Sequence, residues 1–159
     1  MNPLAVKHVR PGGGGIIPPA MGDADLLIPV SAIHSMRAHV ERWAPEEACG
    51  LLSGVGRRVL EVHPVENAEH SPVRFRMAPA EQIGAMLAME RQGRDLLAIY
   101  HSHPQGPALP SPTDLAEAAY PVPNFIWFRK GGEWGARLFL LEAGSCRELD
   151  FDVGTDDPG

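Results

Sequence analysis

The chain has 159 residues, a length that suits one domain with a single hydrophobic core. Apolar residues make up 44% of it and charged residues 21%, as in ordinary soluble globular proteins, so disorder along the whole chain is excluded. The formal charge of −6 argues against nucleic acid or an anionic membrane as the main partner, because both attract basic surfaces.

The two ends of the chain have the composition of tails. Residues 1–24 include four consecutive glycines and then Pro18-Pro19, a composition that buries too little apolar surface to offset the entropy cost of ordering. We predict a disordered tail there and a second one at residues 154–159, with one folded domain over residues 25–153. Whether Met1 or Met21 is the true start stays open.

Targeting signals and disulfide patterns are absent from the sequence. The N-terminus lacks the apolar core of a signal peptide, and no apolar run reaches 18 residues, which predicts a cytoplasmic protein without a membrane span. Cys49 and Cys146 are too few for a disulfide framework and form no C-x-x-C pair. We expect a reducing compartment, although the redox state of the two thiols is left open.

The first half of the chain alternates helix and strand patterns. A short apolar run, Leu26 to Val30, precedes a helix whose predicted N-cap is Ser31. That helix carries apolar side chains at spacings of three and four, namely Ile33, Met36, Val40 and Trp43. Residues 48–55 and 57–65 then predict a β-hairpin, and Val73 to Met77 predicts a further short strand.

The second half continues the alternation. Pro79 begins a helix that Gly93 ends, and Leu96 to Tyr100 predicts a strand buried on both faces. After a loop rich in proline and glycine, a short helix follows with Ser111 at its N-cap. Three predicted strands complete the domain: Phe125 to Phe128, Ala136 to Leu141 and Arg147 to Val153. The order predicts a mixed α/β fold, a sheet with helices packed on it.

The residues with candidate chemical roles begin at the end of the predicted strand near Tyr100. His101 and His103 are two residues apart, so their side chains point to the same face of the strand. Asp114 lies in the first turn of the short helix, which a loop can fold back over the strand end. Two histidines and one carboxylate leave a fourth coordination position open, as in catalytic zinc sites. A general base outside this ligand set is then needed, and Glu46 and Glu47 are the candidates.

Taken singly, each of these residues has a simpler explanation. A His-x-His pair usually binds no metal, and Asp114 and Ser111 are simply the two members of a helix capping box. Glu46-Glu47 is simply a solvated pair before a strand. The combination of a His-x-His pair at a strand end with Ser-x-x-Asp on the next short helix is much more specific, and it favours the metal site.

At these residues the sequence resembles the JAMM (MPN-plus) metalloprotease family. The family motif is a glutamate, then His-[Ser/Thr]-His-Pro, then Ser-x-x-Asp, which here are Glu47, residues 101–104 and residues 111–114. The segment Glu47 to Gly54 resembles the family's stretch in which the glutamate precedes a glycine by three, which selects Glu47 over Glu46. Residues 64–68, 74–77 and 136–153 also resemble segments of compact bacterial members. In total the resemblance covers about residues 26–153.

The resemblance implies a fold, a site and a substrate class. The fold would be a curved mixed β-sheet flanked by helices, akin to cytidine deaminases. Zn²⁺ would be held by His101, His103 and Asp114, with Glu47 as general acid and base and the Ser111 hydroxyl on the oxyanion. Family members cut a peptide or isopeptide bond after the C-terminal Gly-Gly of a ubiquitin-like protein, and compact bacterial members act on small sulfur-carrier proteins. The oligomeric state, a homodimer included, stays open.

Three other functions were weighed. A non-catalytic MPN scaffold that binds partners would lack some of the ligands, and a deaminase would need a Cys-x-x-Cys pair, which this chain does not have. A zinc peptidase of the phage or cell-wall type stays an alternative. We assign Ser102 no catalytic role and expect Cys49 to be a buried small side chain, with a redox-sensitive thiol as the alternative. The remaining histidines are expected at the surface or in packing, and the core is expected to include Trp127, Phe128, Trp134 and Phe139.

Overall fold

The computed structural model describes residues 24–118, 120–142 and 144–156, together with the backbone of residues 5–6. The helices are α1 (Val30–Trp43), α2 (Pro79–Arg91) and α3 (Pro112–Ala116). The strands are β1 (Ala5–Val6), β2 (Leu26–Pro29), β3 (Cys49–Val55), β4 (Arg58–Val65), β5 (Asp95–His103), β6 (Asn124–Lys130), β7 (Glu133–Glu142), β8 (Ser145–Leu149) and β9 (Phe151–Gly154).

All of these strands belong to one mixed sheet. Its order is β1-β7-β6-β5-β3-β4-β2-β9, and β8 pairs with β7 beside β1. The central strand β5 runs antiparallel to β3 and parallel to β6. Its C-terminal end is therefore supported by backbone hydrogen bonds on both sides, which gives side chains at that end a rigid base.

The sheet is strongly curved. β8 pairs with β7 near one edge, whereas β9 pairs with β2 at the other, and Asp150 alone separates β8 from β9. One residue spans only about 3.5 Å, so the two edges must approach each other closely. This confirms the predicted α/β class with a curved mixed sheet and flanking helices.

The two faces of the sheet pack against different helices. The larger core joins α1 to residues such as Leu52, Tyr100 and Trp127. The smaller core joins Met89 of α2 to residues that include Leu51 and Ile99. Since side chains alternate along a strand, His101 and His103 share the α2 face with Ile99, whereas Ser102 shares the α1 face with Tyr100. The predicted aromatic core is present, because Trp127, Trp134 and Phe139 are buried and Phe128 is half-buried.

Gly50 explains a close approach within the α1 face. A Cβ added at this position would collide with the ring of Tyr100, whose hydroxyl is 2.8 Å from Nδ1 of His39 on α1. Only a glycine at position 50 of β3 therefore leaves room for the ring of Tyr100, which β5 carries. This accounts physically for a glycine three residues after Glu47.

Three local predictions were wrong. Helix α1 begins at Val30 with Pro29 as its N-cap, and Ser31 instead donates its backbone N–H to Oδ1 of Asp156. Residues 73–77 form no strand, since Met77 alone makes an isolated bridge, to Asn67. Residues 147–153 divide into β8 and β9 because they serve different edges of the curved sheet.

The predicted tails fall mostly outside the described residues. Residues 1–4, 7–23 and 157–159 are not described, while the backbone of Ala5–Val6 pairs with β7 and Gly154 ends β9. Over the part of the chain that is described, no helix combines the length and apolar character needed to cross a membrane.

The hydrogen bond between half-buried His39 and buried Tyr100 predicts a pH dependence of stability. Burial, aided by the charge of Arg42, lowers the pKa of His39 to about 4 from its ordinary value near 6.5. The unfolded chain therefore binds a proton that the folded chain excludes, so this contribution to stability is present above pH 6.5 and is lost as the pH falls toward 4.

Between pH 7 and pH 5 we expect the melting temperature of wild type to fall further than that of His39→Gln, because glutamine does not titrate. Thermal unfolding followed by circular dichroism measures this. The control is His34→Gln, an exposed histidine on the same helix, which should track wild type. Equal losses in wild type and His39→Gln would contradict the prediction.

Candidate metal centre

The end of β5 places two imidazoles side by side, as the spacing predicts. His101 is fully buried and His103 is 4% exposed. Their Nε2 atoms are 3.2 Å apart. The backbone under them is held by pairing of His101 with Cys49 on β3 and with Ile126 on β6. The strand therefore fixes both Cα positions before any ligand binds.

Asp114 reaches the same point from α3. Ser111 is the N-cap as predicted: its Oγ accepts the backbone N–H of Asp114 at 3.0 Å, and Oδ2 of Asp114 accepts the backbone N–H of Ser111 at 2.8 Å. This capping box turns the carboxylate back toward β5. The loop between them is folded onto the strand, since Nδ1 of His103 bonds to the carbonyl oxygen of Pro107 at 2.9 Å.

The three side chains converge on one point. Oδ2 of Asp114 lies 3.2 Å from Nε2 of His101 and 3.1 Å from Nε2 of His103. Bonds of about 2.0–2.2 Å place two tetrahedral zinc ligands roughly 3.3–3.5 Å apart. The three atoms are thus spaced almost as zinc ligands, and two nitrogens with one carboxylate oxygen are a donor set that suits this ion.

The charges at this point are coupled. Although burial opposes ionisation of Asp114, hydrogen bonds from His101 and His103 outweigh it and hold the pKa of the carboxyl well below its usual range. Burial lowers the pKa of His101, whereas bonds to Asp114 and Pro107 raise that of His103 despite burial. The site therefore keeps a carboxylate anion among two imidazoles, which is the ligand form that a cation requires.

Glu47 lies two residues before the start of β3 and completes the cluster. A carboxylate oxygen of Glu47 lies within 4.8 Å of a ring nitrogen of each histidine. The side chain is 4% exposed, and its Oε1 has no hydrogen-bond partner among the described residues. Burial, more than the nearby charges of His103 and Asp114, sets the pKa of this carboxyl and raises it to about 8. A buried acid without a partner beside a metal-like cluster is a candidate for proton transfer.

Comparison with known proteins identifies the family of this chain. A family model described as prokaryotic homologs of the JAB domain matches residues 29–141, well over half of the chain. The chain belongs to this family. The predicted JAMM relationship is thereby confirmed, and the matched range contains Glu47, both histidines and Asp114.

Two relatives of this prokaryotic JAB-domain protein carry informative names. It is 43% identical over 145 residues to a probable TtuB-protein conjugate cleaving protease of Thermus thermophilus. That match covers 95% of the Thermus protein and 91% of this chain. It is 39% identical over 103 residues to the CysO-cysteine peptidase of Mycobacterium tuberculosis, covering 64% and 70% respectively. Both relatives are named as proteases or peptidases, which confirms the predicted enzyme class.

Solved structures support the fold. Protein DSY2949 of Desulfitobacterium hafniense superposes with a TM-score of 0.74 at 31% identity, covering 82% of this chain and 93% of that one. The JAB1/MPN domain protein AF2198 of Archaeoglobus fulgidus superposes with a TM-score of 0.54 at 16% identity, covering 82% and 98%. The second likeness shows that the JAB-domain fold is shared at low sequence identity.

Two residues near the site have structural roles. Ser102 points to the opposite face, as predicted, and its Oγ accepts the backbone N–H of Ala48 at 2.8 Å. It thereby ties β5 to the residue that follows Glu47. Cys49 is fully buried and donates to the carbonyl oxygen of Val65, and burial raises the pKa of its thiol to about 12, as for an inert small side chain. Cys146 is a free, exposed thiol.

The other histidines do not join the cluster. His39 bonds to Tyr100, His63 to Ser53 at 2.7 Å, and His70 to Glu46 at 3.0 Å. His34 is exposed, and His8 lies outside the described residues. The described ones therefore occupy surface or packing positions, as predicted.

Sequence reasoning assigned no role to two residues of the loop between β4 and α2. Asn67 is buried and bonds to the carbonyl oxygen of Glu47, and Phe75 stacks on the ring of His101. Segments containing both residues resemble those of compact bacterial family members, but a resemblance of segments does not say which side chain touches a histidine. Only the folded loop does so.

A cleft of about 250 Å³ opens beside Asp114. Its walls come from the loop before α2, from α2 and α3, and from the sheet, and include Phe75, Gln82, Ile99, Tyr120 and Leu141. Part of its rim is an ion pair in which Arg74 donates to Glu117 at 2.9 Å. One candidate ligand, Asp114, therefore lies in the wall of this cleft.

The Ser102 contact predicts a loss of stability. In Ser102→Ala the buried N–H of Ala48 has lost its acceptor, which costs about 1–3 kcal/mol in the free energy of unfolding. Urea denaturation of both proteins measures the difference. The control is Ser35→Ala, an exposed serine on α1, for which we expect a change below about 0.5 kcal/mol. A Ser102→Ala variant as stable as wild type would contradict the prediction.

Proposed function

We propose that this chain is a zinc-dependent peptidase or isopeptidase that hydrolyses the amide bond after the C-terminal Gly-Gly of a ubiquitin-like or sulfur-carrier protein. The observation that carries the proposal is the convergence of three side-chain atoms at 3.1–3.2 Å beside the buried Glu47, whose Oε1 has no hydrogen-bond partner among the described residues. We assign metal binding to His101, His103 and Asp114, and proton transfer to Glu47.

Glu47 could also be read as a metal ligand, because it forms a looser group with the same two histidines. We prefer Asp114 as the third ligand because its oxygen is within 3.2 Å of both nitrogens. With Asp114 in that role, the fourth position is left to water or substrate and Glu47 stays free to act as a base. Zinc bound there would supply Lewis acidity and a water whose pKa is about 7.

The environment of Glu47 suits a residue that moves a proton twice. The acid must take a proton from the attacking water and later give one to the leaving amine. A carboxyl with an ordinary pKa is a weak base, so it accepts the proton of the attacking water unfavourably. Burial raises the pKa of Glu47 to about 8, near the operating range of such a shuttle. Its backbone is held on both sides, by Ser71 and Asn67, which fixes the direction of the side chain.

We assign the Ser111 hydroxyl to the developing oxyanion. Its oxygen accepts the backbone N–H of Asp114, so its own proton is free to be donated elsewhere. Donation to a tetrahedral oxyanion is worth about 3–4 kcal/mol of barrier in comparable sites. The same serine therefore serves the helix cap and the reaction.

The groove and the relatives support the substrate class. The cleft of about 250 Å³ has Asp114 in its wall, and a Gly-Gly tail has no side chains that would keep it out of such a space. Main-chain hydrogen bonds to a strand edge would add affinity. One relative is named for cleaving a protein conjugate and another for a CysO–cysteine link, both consistent with a bond at a protein's end. We place this activity in the domain over residues 25–153 and in the cytoplasm.

Metal content tests the ligand set. We expect the purified chain to carry one zinc ion and to release the extension from a ubiquitin-fold sulfur carrier that ends in Gly-Gly plus one or more residues. His103→Ala and Asp114→Ala should lose both zinc and cleavage, because two ligands of a site made from three do not hold the ion. Elemental analysis measures zinc, and mass spectrometry of the carrier measures cleavage.

The contradicting outcomes are distinct. Full zinc occupancy in Asp114→Ala would remove that residue from the ligand set. A zinc-loaded wild type that leaves both the extended carrier and a lysine-linked conjugate intact, yet cuts cell-wall peptides, would favour the alternative peptidase. A chain that binds zinc and cuts none of these would point to a partner-binding scaffold.

The role of Glu47 is tested by an isosteric change. We expect Glu47→Gln to keep its zinc and its fold but to lose cleavage by about 10²–10⁴-fold, since glutamine cannot accept the proton of water. Steady-state kinetics beside elemental analysis measures both. The matched control is the neighbouring Glu46→Gln, whose carboxylate contacts His70 instead of the cluster and which should cleave normally. Near wild-type cleavage by Glu47→Gln would remove Glu47 from this role.

A further inference from the structure

The two histidines of the candidate centre are held by different means. Nδ1 of His103 bonds to the carbonyl oxygen of Pro107 at 2.9 Å, which orients its ring and sets the nitrogen that faces the cluster. Nδ1 of His101 is buried and has no hydrogen-bond partner among the described residues. Metal-binding histidines nearly always have such an outer hydrogen bond. Another constraint must therefore orient the ring of His101.

We propose that Phe75 is that constraint, a positioning residue that holds the imidazole of His101 with Nε2 directed at the metal; the inference rests on the proposed zinc site. The two ring centroids are 4.5 Å apart, and the ring planes differ by 27°. The backbone of β5 fixes Cα and Cβ of His101, but rotation about the bond from Cβ to the ring has a broad minimum. A nearly parallel ring against one face of the imidazole opposes that rotation.

The loop that carries Phe75 is itself fixed. Asn67 uses its whole amide: Nδ2 donates to the carbonyl oxygens of Glu47 and Arg74, and Oδ1 accepts the backbone N–H groups of Glu69 and Arg76. Arg74 and Arg76 are the neighbours of Phe75 in the chain, so the backbone is pinned on both sides of the aromatic ring. The same amide holds Glu47, and thus one residue ties the acid and the orientation of His101 to a single loop.

Phe75 also forms part of the cleft wall, so a loss of activity alone would not separate positioning of the metal ligand from contact with substrate. The metal itself supplies a readout that is independent of substrate. Cobalt(II) in place of zinc absorbs visible light through d–d transitions, whose energies follow the directions of the ligand atoms. A rotated His101 ring therefore changes the spectrum before any substrate is added.

The experiment compares Phe75→Leu, which keeps apolar volume without a ring face, with Phe75→Tyr, which keeps the ring. For Phe75→Leu we expect an altered Co²⁺ spectrum, a rise of about tenfold or more in the metal dissociation constant, and a fall in kcat larger than the rise in KM. Phe75→Tyr should restore all three. Asn67→Ala, which frees the loop, should change the spectrum in the same direction.

The control is Tyr120→Leu, the same kind of change in the same cleft at a residue that contacts Gln82 instead of a histidine. Its Co²⁺ spectrum and metal affinity should equal those of wild type, whatever happens to KM. An unchanged spectrum and affinity in Phe75→Leu, with a higher KM alone, would overturn the proposal. If Phe75→Leu does not fold, Phe75→Met takes its place with the same criteria. Failure of wild type to bind Co²⁺ would instead contradict the proposed function.

Discussion

The rest of the site depends on the contacts of one oxygen atom, Oδ2 of Asp114. It lies within 3.2 Å of both imidazole nitrogens, and it also accepts the backbone N–H of Ser111. A carboxylate buried in this way is costly unless it is paired. The two histidines supply that pairing in the metal-free protein, and a divalent cation would supply it more strongly. The capping box thus holds the same oxygen that faces both histidines.

The second constraint is the division of the sheet into two faces. Ser102 and Tyr100 turn toward α1 and close the core there, whereas the histidines between and beyond them turn toward α2 and the cleft. Gly50 permits this by making room for the Tyr100 ring. The core on the α1 face and the candidate ligands on the α2 face therefore share one strand, β5.

The loop between β4 and α2 brings the third part of the site together. Through Asn67 it holds Glu47, and through Phe75 it covers His101. In consequence one loop contacts both the acid and one candidate ligand and forms part of the cleft wall.

The sequence by itself determined the family, the mixed α/β class and the residues of the candidate centre, because strand alternation and helix capping are local rules that act over two to four residues. Three predictions were wrong, since each depends on which distant segment the backbone meets: a strand at residues 73–77, a helix cap at Ser31 and a single strand over residues 147–153. Only the tertiary structure decided that Asn67 and Phe75 belong beside Glu47 and His101. Their contacts join residues twenty or more positions apart along the chain, and such contacts follow from packing, which no local pattern encodes.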